Sequence, residues 1–198
     1  MHDHAPAAPA APSSSRGNDR AAPESTARSR TGVLARQITA ALAAAGHTVA
    51  VAESLTAGRL ATALADAPGA GQTFLGGITA YDTALKATLL HVDAHLLARR
   101  GAVDPDVAAQ MAHGARALTG ATYALATTGV AGPAPQDGRP VGTVYIAAAT
   151  PAITVVTAPE PPSCGREAIQ DGAVLSALQL LHDLLRPAGA PHGPEHGP

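Results

Sequence analysis

The sequence predicts a layered α/β/α domain on a mixed, mostly parallel sheet with a late β-hairpin. Three observations carry that prediction. Helical and strand patterns alternate from Thr31 to Thr128, the order expected of βαβ units. Two strand patterns then follow one another, Gly142 to Ala149 and Ile153 to Ala158, joined through a short turn at Thr150-Pro151 and so suited to antiparallel pairing. The apolar residues are nearly all Ala, Val, Leu and Ile, with one Phe and no Trp in 198 residues, which suits close packing of helices on a sheet.

Residues 1–30 are rich in Ala, Pro and Ser and show neither period 2 nor period 3.6, so they read as a disordered tail. The domain proper spans 31–186. Thr31 caps a first helix with Val33, Leu34, Ile38 and Leu42 at helical spacing, and Gly46 ends it. Thr48 to Glu53 is a buried strand, followed by a helix that begins near Thr56. Pro68 to Gly71 is a turn, and Thr73 to Tyr81 a second strand, in which Gly76 and Gly77 imply close approach of another backbone or a ligand. Asp82 or Thr83 caps the helix carrying Lys86. Asp93 opens another helix, and Asp104-Pro105 a third that reaches Thr119. Tyr123 to Thr128 is an apolar strand leading into a Gly/Pro-rich loop. The last helix runs from Arg166 to about Leu185, and 187–198 form a Pro/Gly/His tail read as disordered.

Composition excludes several function classes. A net charge of −2 with 14% charged and 2% aromatic residues leaves no nucleic-acid footprint. No apolar stretch reaches the ~20 residues of a membrane span, and the N-terminus has no secretory pattern. The single cysteine, Cys164, permits no internal disulfide and fits a reducing compartment, so the expected location is cytoplasmic, with no membrane partner.

Ser54 is the first candidate functional residue. It stands where a buried strand stops at a small-residue turn before a helix, a corner that suits either an N-cap or a nucleophile beside unpaired N–H groups. Ser54, Tyr81 and Thr128-Gly129 all fall at carboxyl ends of strands, where ligands bind in such sheets. Lys86 is the one lysine among thirteen Lys and Arg residues. It is either an ordinary surface lysine in an Arg-preferring sequence or a group chosen because, unlike arginine, it can lose its proton when buried. Acting as a base near pH 7 requires a shift of about three units from ~10.4, or about 4 kcal/mol. None of the nine histidines is a compelling base, and His91, Asp93 and His95 have no further cluster to complete a metal site. The loop from Thr127 to Gly142 presents backbone N–H groups suited to an anion, with Arg139 and Arg166 as anion contacts.

In collinear order stand Ala52-Glu53-Ser54-Leu55-Thr56-Ala57-Gly58, Phe74 to Lys86 with Gly76-Gly77 and Tyr81, Gly101-Ala102-Val103-Asp104, Thr128-Gly129-Val130-Ala131-Gly132-Pro133, and Arg139-Pro140-Val141-Gly142-Thr143-Val144-Tyr145. Through these the chain from Thr31 to Leu185 resembles the CinA C-terminal-domain family, the nicotinamide-nucleotide amidohydrolases. The resemblance implies a Ser/Lys enzyme that deamidates nicotinamide mononucleotide, with no metal or other cofactor. Ser54 would attack, Lys86 would be the base and Tyr81 would shape the pocket. N–H groups near Thr56, Ala57 and Gly58 would hold the oxyanion. Thr128, Gly129 and Arg166, with Gly77 and Arg139, would hold the nucleotide. A homodimer through the Ala-rich helices is the expected assembly, and the chain resembles members without the large N-terminal domain. It departs from the pattern at Leu55 (usually Cys), Ala57 (Gly), Asp82-Thr83 (Ser-Asn) and Gln170 (commonly Arg). Those departures keep two alternatives in view, a nucleotide-binding protein that has lost catalysis and an amidohydrolase for another small amide.

Overall fold

The computed structural model describes residues 23–160 and 165–186. In order, the elements are α1 (Pro23–Ala45), β1 (Val49–Glu53), α2 (Arg59–Ala65), α3 (Ala70–Thr73), β2 (Phe74–Thr79), α4 (Thr83–Leu90), α5 (Ala94–Arg100), α6 (Pro105–Thr119), β3 (Tyr123–Gly129), β4 (Val144–Ala149), β5 (Thr154–Thr157) and α7 (Arg166–Leu185). The five strands form one sheet in the order β2-β1-β3-β4-β5. β1 pairs in parallel with both β2 and β3, whereas β4 runs antiparallel to β3 and to β5. The late hairpin is therefore β4–β5, and the three parallel strands end on one edge of the molecule.

Local chemistry explains where the helices start. The Asp82, Asp93 and Asp104 side chains accept hydrogen bonds from the amides of Ala84, His95 and Asp106, capping α4, α5 and α6. Pro105 takes the first position of α6, where a missing N–H costs nothing. Two starts differ from the sequence reading. α1 begins at Pro23, eight residues before Thr31, so the end of the stretch read as a tail is helical. α2 begins at Arg59 rather than near Thr56, for a reason that lies in the site below. The rest of the N-terminal tail, Cys164 and the C-terminal tail lie outside the described residues.

The two faces of the sheet differ. Branched side chains of Val49, Val51, Leu125, Val144 and Ile146 meet α1, α2 and α7 on one face. On the other, Ala52, Ala124, Ala126, Ala147 and Ala149 meet α6 and the α4 end, with Met111 and Leu90 supplying bulk. A face of alanines lets a helix come close, and α6 in turn presents Gly114 to the end of α4. A Cβ at Gly114 would fall inside the van der Waals sphere of the Leu90 carbonyl oxygen. Gly114→Ala is therefore expected to lose about 2 kcal/mol net, overpacking outweighing the ~1 kcal/mol helix-propensity gain. In thermal unfolding this lowers the midpoint by several degrees; an unchanged or raised midpoint would mean that α4 and α6 do not meet at this glycine.

Candidate active site

β1 is wholly buried and delivers Glu53 and Ser54 to the edge where the parallel strands end. Glu53 is sealed from solvent, and its carboxylate accepts from the amides of Gly58 and Leu60 at 3.0 Å and of Ala61 at 2.8 Å. A carboxylate at a helix start satisfies otherwise orphaned N–H groups and meets the positive end of the helix dipole. Glu53 thus acts as the cap of α2 from the preceding strand, which sets the helix start at Arg59.

Between strand and helix the chain makes two tight turns. Ala57 N–H donates to the Ser54 carbonyl at 3.2 Å, and Arg59 N–H to the Thr56 carbonyl at 3.0 Å. The second turn places Ala57 at φ 51° and Gly58 at φ 95°, so Ala57 occupies a left-handed conformation that glycine adopts more easily. β3 pins the turn from one side, through Ser54 N–H to the Thr127 carbonyl (3.0 Å) and the Thr56–Thr127 hydroxyl pair (2.8 Å). α7 pins it from the other, through the Gln170 amide donating to the Leu55 carbonyl at 2.6 Å.

Lys86 reaches the same corner from α4. Its side chain is only 1% exposed. Nζ lies 3.0 Å from Ser54 Oγ, 2.7 Å from the Ala80 carbonyl oxygen and 3.5 Å from that of Tyr81. Burial lowers the amine from 10.5 to about 8, with Asp82 and Asp137 pulling weakly the other way. A neutral amine has two N–H donors and one lone pair. Two carbonyls and one hydroxyl match that set, so the neutral form can accept the Ser54 proton while its own hydrogens stay bonded.

A cleft of about 100 Å³ opens on Ser54, lined among others by Tyr81, Gly129, Gly132, Gln136 and Arg166. Arg166, in the first turn of α7, spans its mouth by donating to the Tyr81 hydroxyl at 2.7 Å and to the Gly132 carbonyl. Ser54, Lys86, Tyr81, Gly129 and Arg166 thus gather at one place. The other sequence candidates are placed differently. The hydroxyls of Thr56 and Thr128 are committed to Thr127 and to the Ala102 carbonyl. Ala57 and Gly58 line a separate cleft of about 590 Å³ against α1 and α7. Their amides are taken by the Ser54 carbonyl and Glu53, which corrects the expectation of free N–H groups at Ala57 and Gly58. Gly77 sits within β2, where a Cβ would lie 2.8 Å from Val51 Cγ2 and 3.1 Å from Ala61, so the close approach it permits is that of Val51 on β1 and of Ala61 on α2. Arg139 points toward Asp104 at 3.8 Å instead of into the cleft.

Four residues of the site had no role in the sequence reading. Glu53 was signalled only by an acid closing an apolar run. Gln136 lines the cleft, and Asp137 anchors the same loop by accepting from Ala102 N–H at 2.8 Å. The loop tip reverses through Asp137 and Gly138, both at positive φ, an Asp-Gly hairpin signal readable in the sequence. Gln170 had been noted only as a departure. Among the described residues no group of three or more His, Cys, Asp or Glu side chains is placed to hold a metal ion, and no helix is long and apolar enough to cross a membrane.

Comparison with known proteins gives the family. Residues 31–185 match the family described as the CinA C-terminal domain. A CinA-like protein of Frankia casuarinae is 52% identical over 145 residues, covering 73% of this chain and 33% of the relative. The chain thus spans about a third of the length of the curated relatives it matches. Among solved structures, the competence/damage inducible protein CihA from Agrobacterium tumefaciens superposes with a TM-score of 0.76 at 33% identity, covering 79% of this chain and 96% of that one. A CinA superfamily protein from Klebsiella pneumoniae gives 0.75 at 31%, covering 78% and 97%.

Two outcomes follow from the buried charges. Glu53→Gln puts an NH₂ group against the α2 amides and is expected to cost about 2–3 kcal/mol in denaturant unfolding, the scale of lost hydrogen bonds to a charged acceptor; a loss below 0.5 would mean that the carboxylate does not hold the helix. For Lys86, folded and unfolded chains titrate at about 8 and 10.5, so between those values the unfolded chain holds more protons and stability rises with pH. Relative to Lys86→Met, the wild type should gain ~1.36 kcal/mol per pH unit in that window and nothing below it. A difference that stays flat from pH 8 to 10 would show an unshifted lysine.

Proposed function

The chain belongs to the CinA C-terminal-domain family, and on that premise we propose that it is a Ser/Lys amidohydrolase that turns nicotinamide mononucleotide and water into nicotinic acid mononucleotide and ammonia. The observation that carries the reading is the 3.0 Å approach of Lys86 Nζ to Ser54 Oγ in a buried corner. Neutral Lys86 takes the Ser54 proton as Oγ bonds to the carboxamide carbon, and the carbonyl oxygen becomes an oxyanion. As the C–N bond breaks, Lys86 returns that proton to the leaving nitrogen, and ammonia departs. Water then attacks the ester with Lys86 again taking a proton. The C–Oγ bond breaks, the proton goes back to Ser54, and the acid is released. These steps use protein groups and water alone.

Arg166 is the proposed contact for the nucleotide phosphate, exchanging two neutral acceptors for an anion. Tyr81 would form the wall beside it, and Gly129 the floor. The lone cysteine fits a reducing, cytoplasmic setting, and a homodimer through the Ala-rich helices remains the proposed assembly. One observation favours a second reading. The cleft's 100 Å³ is below the ~300 Å³ at which ligand pockets begin, so with Arg166 across its mouth it suits a small primary amide better than a nucleotide. On that reading the chain is an amidohydrolase for another small amide.

The deciding assay is ammonia release from nicotinamide mononucleotide, with nicotinamide and simple amides alongside, in the presence and absence of a chelator. Wild type should turn over the nucleotide with or without chelator, and Ser54→Ala and Lys86→Ala should each lose at least ~10³-fold, as enzymes do when a nucleophile or its base is removed. Because the reaction needs the neutral amine, kcat/KM should rise about tenfold per pH unit up to about 8 and then level. Wild type that binds the nucleotide but releases no ammonia would make the site a binding pocket; turnover confined to small amides would select the second reading.

A further inference from the structure

The loop between β3 and β4 brings to the cleft one polar side chain that no protein group engages. Gln136 lines the cleft beside Ser54, and its amide has no hydrogen-bond partner among the described residues. The polar side chains around it are engaged or cannot accept. The Ser54 hydroxyl receives Lys86, the Tyr81 hydroxyl receives Arg166, and Arg166 itself only donates. Gln136 therefore adds an open acceptor, its amide oxygen. In a cleft of about 100 Å³ a ligand joined to Ser54 touches most of the lining, this residue included.

The backbone beneath Gln136 is held in place. Gln136 and Arg139 exchange backbone hydrogen bonds of 3.1 and 2.8 Å around the Asp137-Gly138 turn. Asp137 docks on the junction of α5 and α6, where it accepts from Ala102 N–H and where a Cβ at Gly101 would come within 2.5 Å of the Asp137 Cβ. The Ala102 carbonyl in turn accepts the Thr128 hydroxyl at 2.7 Å, so one residue anchors both the loop and the end of β3. The Asp137 charge is felt at the Lys86 amine, which sets the loop tip on the Lys86 side of Ser54. A leaving nitrogen must face that side, because Lys86 supplies its proton.

We propose that Gln136 selects primary carboxamides at this site, its side-chain oxygen accepting an N–H of the substrate's leaving amide. The proposal rests on the amidohydrolase reading. A carboxamide nitrogen brings two N–H donors into the cleft, and a bond from one of them to Gln136 leaves the nitrogen's developing lone pair free to turn toward Lys86. An ester offers no donor there, and neither does the carboxylate product, so the same acceptor favours the amide over both.

The test compares substrates that differ only in the leaving group. Wild type, Gln136→Leu and Gln136→Glu are each given matched pairs of amide and methyl ester: nicotinamide mononucleotide with the methyl ester of nicotinic acid mononucleotide, nicotinamide with methyl nicotinate, and acetamide with methyl acetate. Ammonia and methanol release are followed at a pH where Lys86 is largely neutral. The readout is the ratio of kcat/KM for amide over ester, in which the fraction of folded enzyme cancels. Gln136→Leu has no acceptor and should lower the ratio at least about fivefold, the scale of one neutral hydrogen bond. Gln136→Glu can only accept and should hold the ratio at or above that of wild type. A ratio unmoved in Gln136→Leu, or lowered as far in Gln136→Glu, would overturn the proposal, while amide turnover by the wild type leaves the amidohydrolase reading standing. Wild type that releases ammonia from none of the amides would overturn both.

Discussion

A buried carboxylate governs how this site is built. Glu53 ends β1 inside the protein and binds three amides at the start of α2, so strand and helix are joined by side-chain hydrogen bonds as well as by chain. Burying such a group is costly unless its oxygens are satisfied, and the helix N-terminus supplies both donors and favourable potential. With both ends held, the intervening residues have few conformations left. The two tight turns, the left-handed Ala57 and the placement of Ser54 at the strand end all follow from closing that short span.

Lys86 illustrates the complementary constraint. Its amine lies among the Ala80 and Tyr81 carbonyls and the Ser54 hydroxyl, with no carboxylate of the described residues in hydrogen-bond contact. Asp82 is nearby but is engaged in capping α4. An arginine there would carry a permanent charge and five donors into a space offering three partners. The amine's proton affinity thus falls into the range of physiological solution while its geometry stays fixed by backbone atoms, which are the least free to move away.

What the sequence disclosed was chiefly what local chemistry decides. The Asp caps of α4, α5 and α6, the order of elements and the late hairpin depend on neighbours a few residues apart, and each was readable. Ser54 and Lys86, 32 residues apart, stood out through a strand-end position and through scarcity. The contacts that escaped notice join residues distant in the chain: Gln170 to Leu55 across 115 positions, Asp137 to Ala102 across 35, Gly77 to the α2 face. The start of α2 was misplaced because its cap comes from a strand residue and not from the Thr56 hydroxyl, which is drawn off to β3. The start of α1 was missed because its first turns, rich in Ser and Arg, carry no apolar period.

The unequal faces of the sheet have a consequence for chemistry as well as packing. The depth at which α6 rests is fixed by Ala52, Ala124 and Ala126, and the seat of α4 on α6 is fixed by Gly114. Lys86 hangs from α4, whereas Ser54 directly follows the strand beneath. The spacing between amine and hydroxyl is therefore a stack height, gauged by methyl groups and one missing side chain. A methylene added anywhere in that stack would register at the reacting atoms, so the small residues of this face act as machining tolerances.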